Sequence, residues 1–209
     1  MQQLTEKEAE DFLEKNKFDV AKRTNAKSPK ELEKIKIPFP WVMKLSSKKI
    51  MHKAKLGGVI LNITSTEKAK ESFNKLSKIE GFEGVIIQEQ LLGEEIVIGI
   101  KKTPEFSHVL MFGKGGSKVE QEKDVAFRIF PLKEKDIDEI MQDTNFFSSI
   151  FRDDTLCVKN KINLKKLKEI IKKIEKLVEK YPKISELDIN PLIINDKTAK
   201  IADARLVFE

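Results

Sequence analysis

The chain has 209 residues, 40% hydrophobic and 35% charged, with a formal net charge of +6 and one cysteine. That length and apolar fraction suffice for one compact domain with two lobes, or for two small domains. No apolar run approaches the roughly 20 residues that span a bilayer, Met1-Gln2-Gln3-Leu4-Thr5-Glu6 lacks a basic-then-apolar signal pattern, and the lone Cys157 excludes an internal disulfide or a cysteine-based metal site. A cytoplasmic protein is expected, with no membrane partner. Lysines are mixed with glutamates along the chain, and aromatics sit in apolar patterns rather than along a basic stripe, so no nucleic-acid partner is expected either.

Thr5 and Glu8 read as a capping box for a helix with Ala9, Phe12 and Leu13 on one face. Ser28-Pro29 marks a second helix start, with proline at the first helical position. Residues 39–45 read as a strand, and Gly57-Gly58 turns into another at 59–63. Thr66 is the expected cap of a helix carrying Ala69, Phe73 and Leu76. Strands follow at 85–91, 95–100, 108–112 and 125–130. A helix is expected over 132–142. Asn163 caps the clearest helix, where Leu164, Leu167, Ile170, Ile171, Ile174, Leu177 and Val178 form one stripe and Pro182 ends it. Two strands, 185–194 and 199–207, close the chain. Without a regular βαβ rhythm, this order predicts an α+β architecture with antiparallel sheet. No P-loop or dinucleotide fingerprint is present.

The terminal hairpin is the most informative segment. With a loop at 195–198, Ile194 pairs with Ala199, so Asn190 stands opposite Asp203 and Asp188 opposite Arg205. Side chains opposed on one face lie about 4.5–5.5 Å apart at Cβ. At that separation an amide oxygen and a carboxylate can share a hard cation such as Mg²⁺. A solvent-facing polar hairpin with a weak ion pair has the same spacing, and Pro191 can introduce a bulge that shifts the register.

The sequence Glu186-Leu187-Asp188-Ile189-Asn190-Pro191-Leu192, then Ile201-Ala202-Asp203-Ala204-Arg205, resembles the closing signature of the ATP-grasp β subunits of ADP-forming acyl-CoA synthetases. The resemblance implies that Asn190 and Asp203 hold Mg²⁺ against nucleotide phosphates, with Asp188 as an outer partner. It extends over most of the chain. Trp41-Val42-Met43-Lys44-Leu45 is similar to the family strand whose lysine meets phosphate, against the alternative of a snorkelling surface lysine. Val85 to Leu91 with Gly93 to Gly99 resembles the inter-lobe hinge, which implies nucleotide contacts from Gln88, Glu89 and Glu95; otherwise these are exposed strand polar groups. Phe112-Gly113-Lys114-Gly115-Gly116 resembles the family glycine turn. Gly115 and Gly116 would then approach phosphate, their N–H groups forming an anion nest, where the alternative is an ordinary turn. In the segment that follows, Arg128 faces either the phosphates or a structural ion-pair partner.

Met51-His52-Lys53-Ala54-Lys55-Leu56-Gly57-Gly58-Val59 looks like the family's His-Lys-x-x-x-Gly-Gly-Val signature. It implies that His52 accepts a phosphoryl group and that Lys53 is its electrostatic neighbour. Nearby lysines favour the neutral imidazole that nucleophilic attack needs. The resemblance implies an ATP-grasp fold as a single domain over 1–209, with a small lobe of roughly 18–87 and a large lobe of roughly 88–209 plus the N-terminal helix. It also implies ATP or ADP and Mg²⁺ as cofactors, and a CoA-binding α subunit in an αβ or α₂β₂ assembly. The expected function is the nucleotide-binding β subunit of an ADP-forming acyl-CoA synthetase. A stand-alone ATP-grasp carboxylate–amine ligase and a nucleotide-sensing regulatory subunit are the alternatives.

Overall fold

The computed structural model describes residues 1–47, 56–116, 119–152 and 162–209. In chain order the elements are β1 (Gln2–Gln3), α1 (Glu6–Lys15), β2 (Arg23–Ala26), α2 (Pro29–Leu32), β3 (Trp41–Ser46), β4 (Val59–Ile63), α3 (Thr66–Leu76), β5 (Gly84–Glu89), β6 (Glu94–Lys101), β7 (Val109–Lys114), α4 (Val119–Glu122), β8 (Val125–Ile129), α5 (Glu134–Gln142), α6 (Asn145–Arg152), α7 (Leu164–Lys180), β9 (Ile184–Ile194), β10 (Ala199–Ile201) and β11 (Ala204–Phe208). The chain divides into two compact units, Met1–Val20 with Leu92–Glu209, and Ala21–Leu91. The architecture is α+β. Among the described residues, no helix is long and apolar enough to cross a membrane.

The first unit is built on an antiparallel sheet in the order β1-β11-β9-β6-β7-β8, with β10 also on β9. Two-residue alternation sends Ile96, Ile98 and Ile100 of β6, Leu110 and Phe112 of β7, and Leu187 and Ile189 of β9 into one core. The α7 side chains Leu167, Ile171, Ile174, Leu177 and Val178 meet them from the helix side. Each such side chain contributes about 1.5–3 kcal/mol when fully buried. The Asn163 side-chain oxygen accepts the Lys166 N–H at 3.0 Å and starts α7. Thr5 and Glu8 form the reciprocal capping box of α1. Because helices cover one face of this sheet, the polar residues of the same strands emerge on the other face.

The second unit has the order β2-β5-β3-β4. Trp41 and Met43 of β3, Val85 and Ile87 of β5, and Phe73 and Leu76 of α3 share its core. The cap of α3 is Ser65, not Thr66: Ser65 accepts the Lys68 N–H at 3.3 Å, and Thr66 is already helical. The return strand expected over 199–207 is two strands, interrupted at Ala202 and Asp203.

Candidate functional site

Asn195 closes the terminal turn, its side-chain oxygen accepting the N–H groups of Lys197 (2.9 Å) and Thr198 (2.8 Å). From there one register runs as far as Val207, opposite Glu186, and shifts only at Phe208, opposite Ile184. Ile194 pairs with Ala199, Ile189 with Ala204 and Asp188 with Arg205. Between them the Asn190 N–H donates to the Asp203 carbonyl at 3.2 Å, and Ala202 N–H to the Pro191 carbonyl at 3.0 Å. Asn190 therefore does stand opposite Asp203. The irregularity at Pro191 is absorbed on the other side of β9. There Ile96 pairs with Leu192 but Ile98 with Ile189, so Asn190 and Pro191 together face Val97. The bulge also flips the alternation, which puts Leu187 and Ile189 before it and Leu192 and Ile194 after it into the helix-side core.

The glycine turn reaches this bulge. The Gly116 N–H donates to Asn190 Oδ1 at 2.8 Å, and the Gly115 N–H to the Glu95 carbonyl at 2.7 Å. Both amides are thus used inside the protein, so the open anion nest expected here is not formed. The glycines serve close approach instead. A Cβ on Gly115 would lie 2.6 Å from the Ile96 carbonyl carbon, and one on Gly116 2.0 Å from Glu95 Oε2, at a φ of +97°. Asn190, Glu95 and Gly116 are drawn together across nearly the whole unit. Burial raises the pKa of Glu95, Glu94 adds to the rise, and Lys114 opposes it. Asp188 is exposed as a residue, yet its carboxyl is also pushed upward, chiefly by loss of water around it. Arg205 pulls it back and Glu186 pushes it further.

The donors fit a hard divalent cation. An amide oxygen has two lone pairs, and Asn190 has engaged one with Gly116. Asp203 adds a carboxylate across the hairpin. Among the described residues no group of three or more His, Cys, Asp or Glu is arranged to hold a metal. A cation here would therefore complete its shell with phosphate oxygens and water, as Mg²⁺ commonly does.

In the second unit, Lys44 pairs with Ile86 and Val59, and Gln88 with Val42 and Arg23, on the face opposite the Trp41 and Met43 core. Both are nearly buried, at 6% and 2% exposure, which sets Lys44 apart from a snorkelling surface lysine. Glu89 sits at the strand end, where its Oε1 accepts the Lys22 N–H at 2.9 Å. His52 and Lys53 lie outside the described residues. Arg128 does not join the others. It pairs with Leu110 in register, on the helix side of its sheet, and bonds Asp143 at 2.6 Å. Of its two expected roles the structure has the structural ion pair.

Sequence reasoning missed two contributors. Arg23 lies directly across from Gln88, with no local signal to reveal it. Asp124 fastens the chain after the glycine turn to α6, its carboxylate accepting the N–H groups of Asn145 (2.7 Å) and Phe146 (2.9 Å). An acid 21 residues from the helix it caps leaves no capping pattern.

The sequence profile of the ATP-grasp domain matches residues 1–208. Acetate–CoA ligase (ADP-forming) II of Archaeoglobus fulgidus is 35% identical over 98% of this chain and 30% of its own length. Acetate–CoA ligase (ADP-forming) I subunit beta of Pyrococcus furiosus is 33% identical over 98% of this chain and 91% of its own. Acetyl-coenzyme A synthetase 1 of Ca. Korarchaeum cryptofilum, solved in complex with coenzyme A, Ca-AMPCP and HgCl+, is 28% identical with a TM-score of 0.86 and covers 99% of this chain and 93% of that one. Another structure of that enzyme, with coenzyme A and Mg-AMPPCP and its phosphohistidine segment pointing towards the nucleotide binding site, gives a TM-score of 0.81 at 27% identity, covering 99% and 93% of the two chains. This chain thus spans less than a third of the first relative and nearly all of the second.

Proposed function

The chain belongs to the ATP-grasp domain family, among the β subunits of ADP-forming acetate–CoA ligases, and on that premise we propose that it is the nucleotide-binding β subunit of an ADP-forming acyl-CoA synthetase. The overall reaction is acyl-CoA + ADP + phosphate ⇌ carboxylate + CoA + ATP. The observation that carries this reading is the Asn190 and Asp203 pair, opposed in one register with the Asn190 oxygen fixed by Gly116.

His52 accepts a phosphoryl group on a ring nitrogen and releases it to the terminal phosphate oxygen of ADP. One N–P bond breaks as one P–O bond forms, and Lys53 offsets the charge on the transferring group. Positioning and charge neutralisation dominate such a transfer. Magnesium, held by Asn190 and Asp203 with Asp188 as outer partner, supplies much of that neutralisation when bound. Lys44 adds a point charge for phosphate. Gln88 and Glu89 serve the base and ribose, and Glu95 with Gly115 and Gly116 keeps the Asn190 oxygen in place. A CoA-binding α subunit supplies the acyl phosphate chemistry, in an αβ or α₂β₂ assembly.

Incubation with γ-labelled ATP and Mg²⁺ tests the proposal. The wild type should take up an acid-labile, base-stable label that His52→Ala does not. The reading fails if the wild type, with its partner subunit present, stays unlabelled while binding Mg-AMPPCP.

A further inference from the structure

The second unit holds a cavity of about 440 Å³ that includes none of Lys44, Gln88 and Glu89 in its wall. It opens along β2, which is one of the two edge strands of its sheet. Four cations, Lys22, Arg23, Lys34 and Lys36, line it against a single carboxylate, Glu31. That carboxylate is engaged in starting α2, its two oxygens accepting the Lys27 N–H at 2.9 Å and the Ser28 hydroxyl at 3.1 Å. Among the described residues, none of Lys22, Lys34 and Lys36 forms an ion pair. Elsewhere on the surface lysines do meet carboxylates, as Lys70 meets Glu33 and Lys102 meets Glu209. Like charges gathered around one concavity repel one another and focus a positive potential into it.

The backbone adds a donor. The Glu89 N–H donates to the Lys22 carbonyl at 2.9 Å, so in the antiparallel pattern residues 22, 24 and 26 bond towards β5. The N–H of Asn25 points away from it, off the free edge of a strand that lines the cavity. The opposite wall has apolar surface from Ile35, Ile37 and Pro38. The volume lies within the range of small-molecule pockets, about 300–1,000 Å³.

We propose that this edge pocket is a second anion site, separate from the nucleotide site, that binds a small phosphate-bearing molecule through Lys22, Lys34 and Lys36 and the outward amide of Asn25. The phosphate lies among the cations, and Ile35 and Ile37 face any organic portion.

The test is a titration of the full chain with inorganic pyrophosphate while saturating Mg-AMPPCP fills the nucleotide site. One further binding event per chain is expected, weakening with added salt. In ¹⁵N–¹H spectra it should move the amides of residues 22–25 and 34–37. The double variant Lys34→Gln/Lys36→Gln, altered only at exposed side chains, should weaken that event at least tenfold and leave Mg-AMPPCP affinity unchanged. Phenyl phosphate binding more tightly than inorganic phosphate assigns the apolar wall to an organic ester, and equal binding assigns the pocket to the bare anion. Absence of the event, its survival in the double variant, or shifts confined to other residues would overturn the proposal. Failure of Mg-AMPPCP itself to bind would count against the nucleotide reading instead, because the pyrophosphate shifts remain readable without it.

Discussion

The side-chain oxygen of Asn190 accepts the Gly116 N–H at 2.8 Å, so a cation bound there would share an acceptor that is already oriented. Removing the oxygen removes both the proposed metal ligand and the tie to the glycine turn. Asn190→Ala should therefore weaken Mg-AMPPCP binding at least tenfold, about 1.4 kcal/mol, measured by titration calorimetry. Asn190→Asp keeps an acceptor in place and should retain most of the affinity; unchanged binding by Asn190→Ala would remove Asn190 from the site. Glu95, beside the same turn, has a pKa raised first by burial. A carboxyl raised in the folded state takes up protons more readily there than when unfolded. Its ionisation therefore costs the fold stability as pH rises from the ordinary carboxylate range through the raised value. In metal-free, nucleotide-free protein, Glu95→Gln should melt above the wild type near pH 7. The difference should shrink towards about pH 4, where the wild-type carboxyl is protonated too. A Tm difference that is constant with pH would contradict this account.

At the scale of elements, the terminal hairpin was legible because a four-residue turn and strict alternation leave one way to count. The register from Ile194 and Ala199 to Asp188 and Arg205 is the one expected. Pro191 did not disturb it, because its bulge fell against β6, a neighbour that local counting does not include. The glycine turn was legible as a turn but not in its use. Its N–H groups find partners in Glu95 and in Asn190, which lies 74 positions away, and spacing carries no information at that distance. Arg128 teaches the same lesson. Its strand was anticipated, but its face follows from the pairing of β8 with β7, which sends it to Asp143 at the end of α5. Arg128→Ala should leave Mg-AMPPCP affinity within about twofold, and it should cost less than about 1 kcal/mol of stability, since the ion pair is partly solvated. Those quantities are read by calorimetry and by urea unfolding. A tenfold loss of nucleotide affinity would return Arg128 to the phosphate site.

Across the whole molecule there are two compact units with a core in each. The same length of chain forms 30% of one relative and 91% of another, so the family uses this module both inside a longer polypeptide and as a separate subunit. The proposed roles of Lys44, Asn190 and Asp203 concern phosphate and its cation, and thioester chemistry is the proposed task of the partner. The proposed division of labour has a kinetic consequence. The chain alone should become labelled on His52 from ATP, because that half-reaction needs only the nucleotide and the imidazole. It should form no ATP from acetyl-CoA, ADP and phosphate until the α subunit is added, and the rate should then saturate with α subunit concentration. A coupled ATP assay across that titration measures this. Full turnover by the chain alone would mean that the acyl phosphate is made on this chain, and the partner requirement would be lost with it.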